Sequence, residues 1–245
     1  MKLYLVGGAV RNHLLGQPTK DYDFAVEAES YEAMRDGLVQ RGLTIWQERP
    51  EYVTVRGQIS LRSLGGFDGI LPAGSEGAFN ADFTLCRAEA QYSDQRHPDV
   101  VTPASLGVDL SRRDFTMNAI AVSEEGEWID PYEGEADLAN KMLVTVGRAR
   151  NRFEEDPLRM LRAVRFAVKY RLRIVPDVMD AMNDPDVADG LRTLPHERVR
   201  EELNKALIVN WRRTIVYLVF DAPVLGDNLF SCFPNLWMKA TTEER

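Results

Sequence analysis

Two short stretches near the N-terminus carry residue types that bind phosphate and metal: Leu5-Val-Gly-Gly-Ala-Val-Arg11 and, a little further on, Asp21-Tyr-Asp23. Backbone amides at a Gly7-Gly8 turn leading into a helix form an anion site, because unpaired N–H groups and the helix dipole both point at the ligand. Arg11 falls in the first turn of that helix. In a strand, the period of two puts Asp21 and Asp23 on one face and Tyr22 and Phe24 on the other. Like charges so placed repel, and hard oxygen ligands in that arrangement suit Mg²⁺. A tight structural turn and two solvated acids are the alternatives. Asp82 interrupts the largely apolar run Phe79–Arg87, and a buried strand seldom carries an acid without a partner or a metal. Three such carboxylates can bridge two ions about 4 Å apart for in-line displacement at phosphorus.

Two later stretches add recognition chemistry. Arg112-Arg113-Asp114-Phe-Thr-Met-Asn118 packs donors for phosphate, ribose hydroxyl and backbone into one segment, with Asp114 or Asn118 suited to fixing the loop. Its alternative is a surface ion pair at a helix end. Glu155, Asp156 and Arg159 cluster at a helix start, and Arg159, Arg162 and Arg165 recur opposite Leu158, Leu161, Val164 and Val168. A solvated basic stripe would look the same. An acid beside an arginine can also read a base edge, the acid accepting from an exocyclic amine and the arginine donating to ring acceptors.

The elements that must hold these residues follow from local pattern. Leu3–Val6 reads as a strand, Ala9–Leu15 as a helix closed by Gly16, and Asp21–Val26 as a strand. Ser30 caps a helix running to Arg41; Thr44–Trp46 and Tyr52–Val55 are further strands. The glycine-rich residues 62–80 read as a mobile surface loop. Val108–Arg113 is a short helix, Asn118–Val122 and Trp128–Ile129 strands. From Asn151 the texture is helical, with Asp156 as N-cap, Pro157 at N1 and Leu158–Tyr170 unbroken, then short helices among which His196–Val209 is the clearest. The pattern predicts an α+β head over residues 1–150 with a mixed sheet, and an all-α region over 151–245.

At 245 residues and 44% hydrophobic the chain can bury a sizeable core. Its net charge of −8 excludes a surface that attracts nucleic acid as a whole, so RNA contact requires a local basic patch or metal. Cys86 and Cys232 read as free thiols in a reducing compartment. Lys2 before a short apolar run is no signal peptide, and no stretch approaches the ~20 apolar residues of a membrane span. A cytoplasmic protein without membrane contact is expected.

Taken in order, Leu5–Arg11, Leu14-Leu-Gly16, Asp21–Asp23, Arg112–Ala119, Ile129-Asp-Pro-Tyr132 with Gly134 and Asp137-Leu138, and Glu155–Phe166 resemble the bacterial-type (class II) tRNA nucleotidyltransferases, the CCA-adding enzymes and their poly(A) polymerase relatives. The likeness covers about residues 1–170, and Pro195–Val199 extends it more loosely. It implies a nucleotidyltransferase-fold head, then helical neck and body, acting with two Mg²⁺ ions on CTP, ATP and the 3′ end of tRNA or another RNA. By position, Asp21 and Asp23 match the metal-binding pair and Asp82 a third acid. Gly7 and Gly8 fall in the phosphate turn; Gly8, Arg11, Arg113, Arg162 and Arg165 match residues touching the incoming nucleotide. Glu155, Asp156 and Arg159 match the neck motif that selects CTP or ATP. Asn12 replaces the usual aspartate, and the glycine-rich stretch lengthens the loop before Asp82. The chain ends soon after Phe233–Trp237, where family members continue into more body and a tail that grips tRNA. Addition of C and A to a tRNA-like end is expected; ATP-only polymerisation and a non-catalytic RNA-binding derivative are the alternatives.

Overall fold

Strand β1 (Lys2–Val6) feeds through Gly7 into α1 (Gly8–Leu14), and the chain returns as β2 (Tyr22–Glu27) antiparallel to β1. This computed structural model describes residues 1–60, 63–64, 66–67, 69–71, 77–92 and 98–233. Helix α2 (Tyr31–Gln40) starts at Ser30, whose hydroxyl accepts from the Ala33 amide at 3.1 Å. Then follow β3 (Thr44–Arg49), β4 (Thr54–Ser60), β5 (Ala78–Leu85), the hairpin β6 (Arg87–Tyr92) and β7 (Pro98–Pro103), α3 (Leu106–Ser111), β8 (Ala121–Ser123), β9 (Trp128–Ile129) and α4 (Gly134–Ala139). The main sheet is seven-stranded and mixed, in the order β3-β4-β5-β2-β1-β8-β9, with β2 and β5 parallel.

Alternation along the strands separates a packed face from a polar one. Phe24 and Phe83 stack with centroids 5.0 Å apart, and Phe67 meets Phe24 edge-on at 5.4 Å. Each such buried ring contributes about 1.5–3 kcal/mol. Asp23, Arg56 and Asp82 project between these buried residues from β2, β4 and β5, on the side that reaches solvent.

Several local expectations shift. The expected strand Tyr52–Val55 begins only at Thr54, because Pro50 opens a 3₁₀ turn through Tyr52 and Val53 is left-handed at φ +47°. The expected strand from Asn118 begins at Ala121: Thr116–Asn118 is a 3₁₀ turn whose asparagine side chain is drawn into buried hydrogen bonds. In the stretch read as a mobile loop, Leu64, Phe67 and Leu71 are buried core residues, so its described part is packed rather than loose. Residues 62, 65, 68 and 72–76 of that loop, and everything after Phe233, lie outside the described residues.

The chain divides into two compact units, Met1–Asn140 and Lys141–Arg245, whereas the texture of the sequence changes at 150. The second unit holds β10 (Met142–Leu143), α5 (Ala149–Glu155), α6 (Leu158–Tyr170), β11 (Arg173–Ile174), α7 (Pro176–Met182), α8 (Pro185–Asp189), α9 (His196–Val216) and α10 (Pro223–Cys232). Among the described residues its regular elements are helical apart from the short parallel β10–β11 pair. Asp156 leaves α5 with extended backbone, and its carboxylate accepts from the Leu158 amide at 3.0 Å, so it caps α6 ahead of Pro157. Leu158, Leu161, Val164 and Val168 are buried within this unit. Among the described residues no single helix is long and apolar enough to cross a membrane.

Candidate active site

Gly7 ends β1 at φ +68°, ψ −125°, a conformation that only glycine adopts without strain, and its carbonyl accepts from the Arg11 amide at 3.1 Å to open α1. Two guanidinium groups flank this turn. Nη1 of Arg113 lies 3.2 Å from where a Cβ on residue 7 would stand, and Nη2 of Arg11 lies 3.5 Å from that of residue 8. The first-turn amides of α1 have no partner inside the helix. Positive charge and amide donors therefore surround a turn without side chains.

Both arginines are held from behind. Arg113 donates to the Asp109 carboxylate through Nε and Nη2, at 3.3 and 3.0 Å, and through Nη1 to the Asn118 carbonyl at 3.2 Å. Asp109 is buried and also receives Arg112 at 2.5 Å. Burial pushes the Asp109 carboxyl up, but the charges of Arg113 and Arg112 and their hydrogen bonds outweigh it and hold it below the usual carboxylate range. Arg11 Nη1 donates to Asn118 Oδ1 at 2.5 Å, while Asn118 Nδ2 donates to Asp114 Oδ1 at 2.9 Å. Asp114 also accepts from the Phe115 amide at 2.8 Å. Asp114 and Asn118 thus spend these polar atoms fixing Arg11 and the 3₁₀ turn. That turn is braced in its own right: a Cβ on Gly134 would come within 2.2 Å of the Thr116 carbonyl, and Thr116 donates to Asp137 at 2.7 Å.

Register brings the carboxylates to the same place. Asp23 stands opposite Val6 of β1 on one side and opposite Asp82 of β5 on the other. Arg56 stands opposite Asp82 from β4 and grips both of its oxygens. Asp21 precedes β2 and is exposed, and with Asp82, Arg56 and Lys20 it lines one shallow hollow. Partial desolvation and then the charge of Asp82 push the Asp23 carboxyl above its ordinary range; Arg113 opposes this, Asp21 adds to it and Arg56 opposes it. Excess negative charge at Asp23 calls for a cation. Among the described residues no three His, Cys, Asp or Glu side chains form a ready cage. Mg²⁺ at phosphate sites, however, is usually held by one or two carboxylates, water and substrate oxygens, and Asp21 with Asp23 fits that donor set.

In the second unit, Glu155 at the end of α5 receives Arg159 of α6 at 2.9 Å and is paired with Arg152 as well. Arg159 also donates to the Arg152 carbonyl at 3.2 Å. Arg162 and Arg165 are half-buried rather than fully solvated, and Arg165 reaches the buried Glu202 of α9 at 2.5 Å. Glu155, Asp156 and Arg159 therefore sit together at the α5–α6 junction, with Arg162 and Arg165 further along α6.

Three of these partners escape a reading of the sequence. Asp109 carried a signal, since its spacing to Arg112 and Arg113 allows i,i+3 and i,i+4 pairing on a helix. Arg56 alternates with the buried Val55 and Gly57, which shows its face but not that it meets Asp82. Glu202 lies among polar residues with nothing local to separate it from a solvated acid.

A mixed sheet with a glycine turn beside facing acids is a nucleotidyltransferase head. Residues 3–144 match the family of Poly A polymerase head domains, and the chain belongs to that family. It is 38% identical over 207 residues to the CCA-adding enzyme of Levilactobacillus brevis, covering 83% of this chain and 46% of that one. To the CCA-adding enzyme of Geobacillus sp. it is 40% identical over 208 residues, with 83% and 45% covered. Among solved structures, the Bacillus stearothermophilus CCA-adding enzyme in complex with CTP superposes with a TM-score of 0.71 at 31% identity, covering 96% of this chain and 50% of that one. A tRNA nucleotidyltransferase complexed with a primer tRNA and an incoming ATP analog gives 0.63 at 27%, covering 89% and 59%. The chain spans about half the length of the curated relatives it matches.

Proposed function

We propose that this chain adds C and A from CTP and ATP to the 3′ end of tRNA, releasing pyrophosphate at each addition, in a cytoplasmic setting. The observation that carries the reading is the register of Asp23, which stands between the strand ending in the glycine turn and the strand bearing Asp82. Gly7 and Gly8 leave room for the triphosphate, with Arg113 and Arg11 at its edge. Asp21 and Asp23 would hold divalent metal, two Mg²⁺ in this reading, with Asp82 as the third acid at the site. Metal so bound neutralises charge on the attacking and leaving oxygens. In the transfer itself, the RNA 3′-hydroxyl gives its proton to water and its oxygen bonds to the α-phosphorus, as the bond from that phosphorus to the oxygen bridging it to the β-phosphorus breaks and pyrophosphate leaves. Glu155, Asp156 and Arg159 choose the base through its edge, and Arg162 and Arg165 contact the same nucleotide. Asp114 and Asn118 serve the nucleotide indirectly, by fixing Arg11.

The test supplies tRNA ending before its terminal C-C-A with one labelled nucleotide at a time and resolves the products on a gel. Two additions from CTP and one more when ATP follows are expected; absence of any incorporation overturns the reading. The family's description supports a second reading, ATP-only polymerisation, which incorporation of CTP excludes.

A further inference from the structure

The pairing of β3 with β4 contains an irregularity close to the acids. Ile45 stands opposite Gly57 and Gln47 opposite Arg56, so Trp46 is an extra residue with no partner across the ladder. Such a bulge re-aims its side chain and is common beside active sites. Gly57 makes the close approach possible, since a Cβ there would lie 2.6 Å from the Thr44 carbonyl. The outcome is that Trp46 is left 54% exposed. The Arg56 guanidinium lies over this ring, 5.6 Å from its centroid, while gripping Asp82. Trp46, Arg56, Asp82, Asp21 and Lys20 line one hollow.

Strand order gives this hollow a side. The glycine turn that takes the triphosphate belongs to β1; Asp82, Arg56 and Trp46 belong to β5, β4 and β3, on the opposite side of Asp23. In an in-line displacement the leaving pyrophosphate and the attacking hydroxyl lie on opposite sides of phosphorus. The β5–β3 side is therefore where the acceptor's end arrives. An exposed tryptophan with a guanidinium over one face of its ring and an exposed lysine in the same hollow offers the rest of its surface as a platform on which any base can stack, with Lys20 placed to meet the backbone.

We propose that Trp46 stacks the 3′-terminal base of the acceptor RNA and so positions its hydroxyl at the carboxylates. The proposal rests on the transfer reading above, and Trp46 is a positioning residue within it. The test uses the full chain in EDTA, so that binding is read without turnover, and a hairpin RNA with a single-stranded 3′ overhang ending in 2-aminopurine. Wild-type protein is expected to quench the terminal 2-aminopurine. Trp46→Ala and Trp46→Gln should lose the quench and weaken binding about tenfold, the scale of one base–aromatic stack, and Trp46→Phe should retain most of both. An RNA ending in an abasic ribose should bind wild type and Trp46→Ala alike. The variants should leave the KM for CTP unchanged. If wild type extends RNA but Trp46→Ala quenches and binds as it does, or if removing the terminal base costs the wild type nothing, the stacking role falls and the transfer reading stands. A wild-type protein that neither binds nor extends any RNA overturns both.

Discussion

The guanidinium of Arg113 occupies the space that a side chain at Gly7 would need, Nη1 lying 3.2 Å from the ideal Cβ position. Gly7→Ala therefore does two things: it strains a backbone at φ +68°, at about 1–3 kcal/mol, and it makes the Arg113 guanidinium give way by a few tenths of an ångström at the turn. A lower melting temperature together with a higher KM for CTP and ATP is expected. Steady-state kinetics and a thermal melt on the same preparation check both, and an unchanged KM would contradict the placement of Arg113 at the triphosphate.

Asp23→Asn and Asp21→Asn remove a charge from a crowded group of acids. Incorporation should fall below detection while the fold stays intact. Because desolvation and then the charge of Asp82 raise the Asp23 carboxyl above its ordinary range, the ionised form opposes folding, and in metal-free buffer Asp23→Asn should melt no lower than wild type. Retained labelling of tRNA from α-labelled CTP in the double variant would refute the metal-site assignment.

Asp109 sets a pH dependence. Its carboxyl is held below the usual range by Arg113 and Arg112, so its contribution to stability is fully present above the unfolded value of about 4 and is lost as pH falls through the lower folded value. Asp109→Asn should melt lower than wild type at pH 7 and show a shallower loss of stability below about pH 4. Melting curves across pH 3 to 7 on the two proteins read the difference.

Asn118 links Arg11 to Asp114 in a buried chain of hydrogen bonds. Asn118→Ala should cost about 1–3 kcal/mol, the penalty for stripping buried polar groups of a partner. Combined with Arg11→Met, the loss should be less than additive, because both changes break the same bond. Additive losses in urea unfolding would show that the two residues are not coupled.

Arg159 is tied to Glu155 at 2.9 Å. If the pair reads the base edge, Arg159→Ala should lower the ratio of kcat/KM for the correct over the incorrect nucleotide by about 5–150-fold, the 1–3 kcal/mol of one bidentate contact. A uniform fall for CTP, ATP, GTP and UTP would instead assign Arg159 a structural role.

Elements specified by their own few residues were legible in the sequence. Strand β1, the glycine turn, the Ser30 cap and the Asp156–Pro157 entry to α6 each carry their signal within a turn of chain. Asp21, Asp23 and Asp82 could be named as acids in strand-like surroundings, but their meeting depends on β2 and β5 pairing in parallel across a long connection. Nothing local encodes that register, so Arg56 was invisible as the partner of Asp82. The glycine-rich stretch misled for the opposite reason. Its composition reads as a surface loop, yet Leu64, Phe67 and Leu71 insert into the core, and Gly66 passes so close to the Glu124 carbonyl that a Cβ would lie 1.3 Å from it.

The parallel pairing of β2 with β5 also bears on how the candidate site assembles. Asp23 and Asp82 meet only after the chain between them has closed into a long loop, a step whose entropy cost precedes any gain from contacts and which slows folding. Helix α6 in the other compact unit needs no such closure for its own turns. On refolding, the turns of α6 therefore form before Asp23 and Asp82 meet, and the proposed nucleotide site is incomplete until they do.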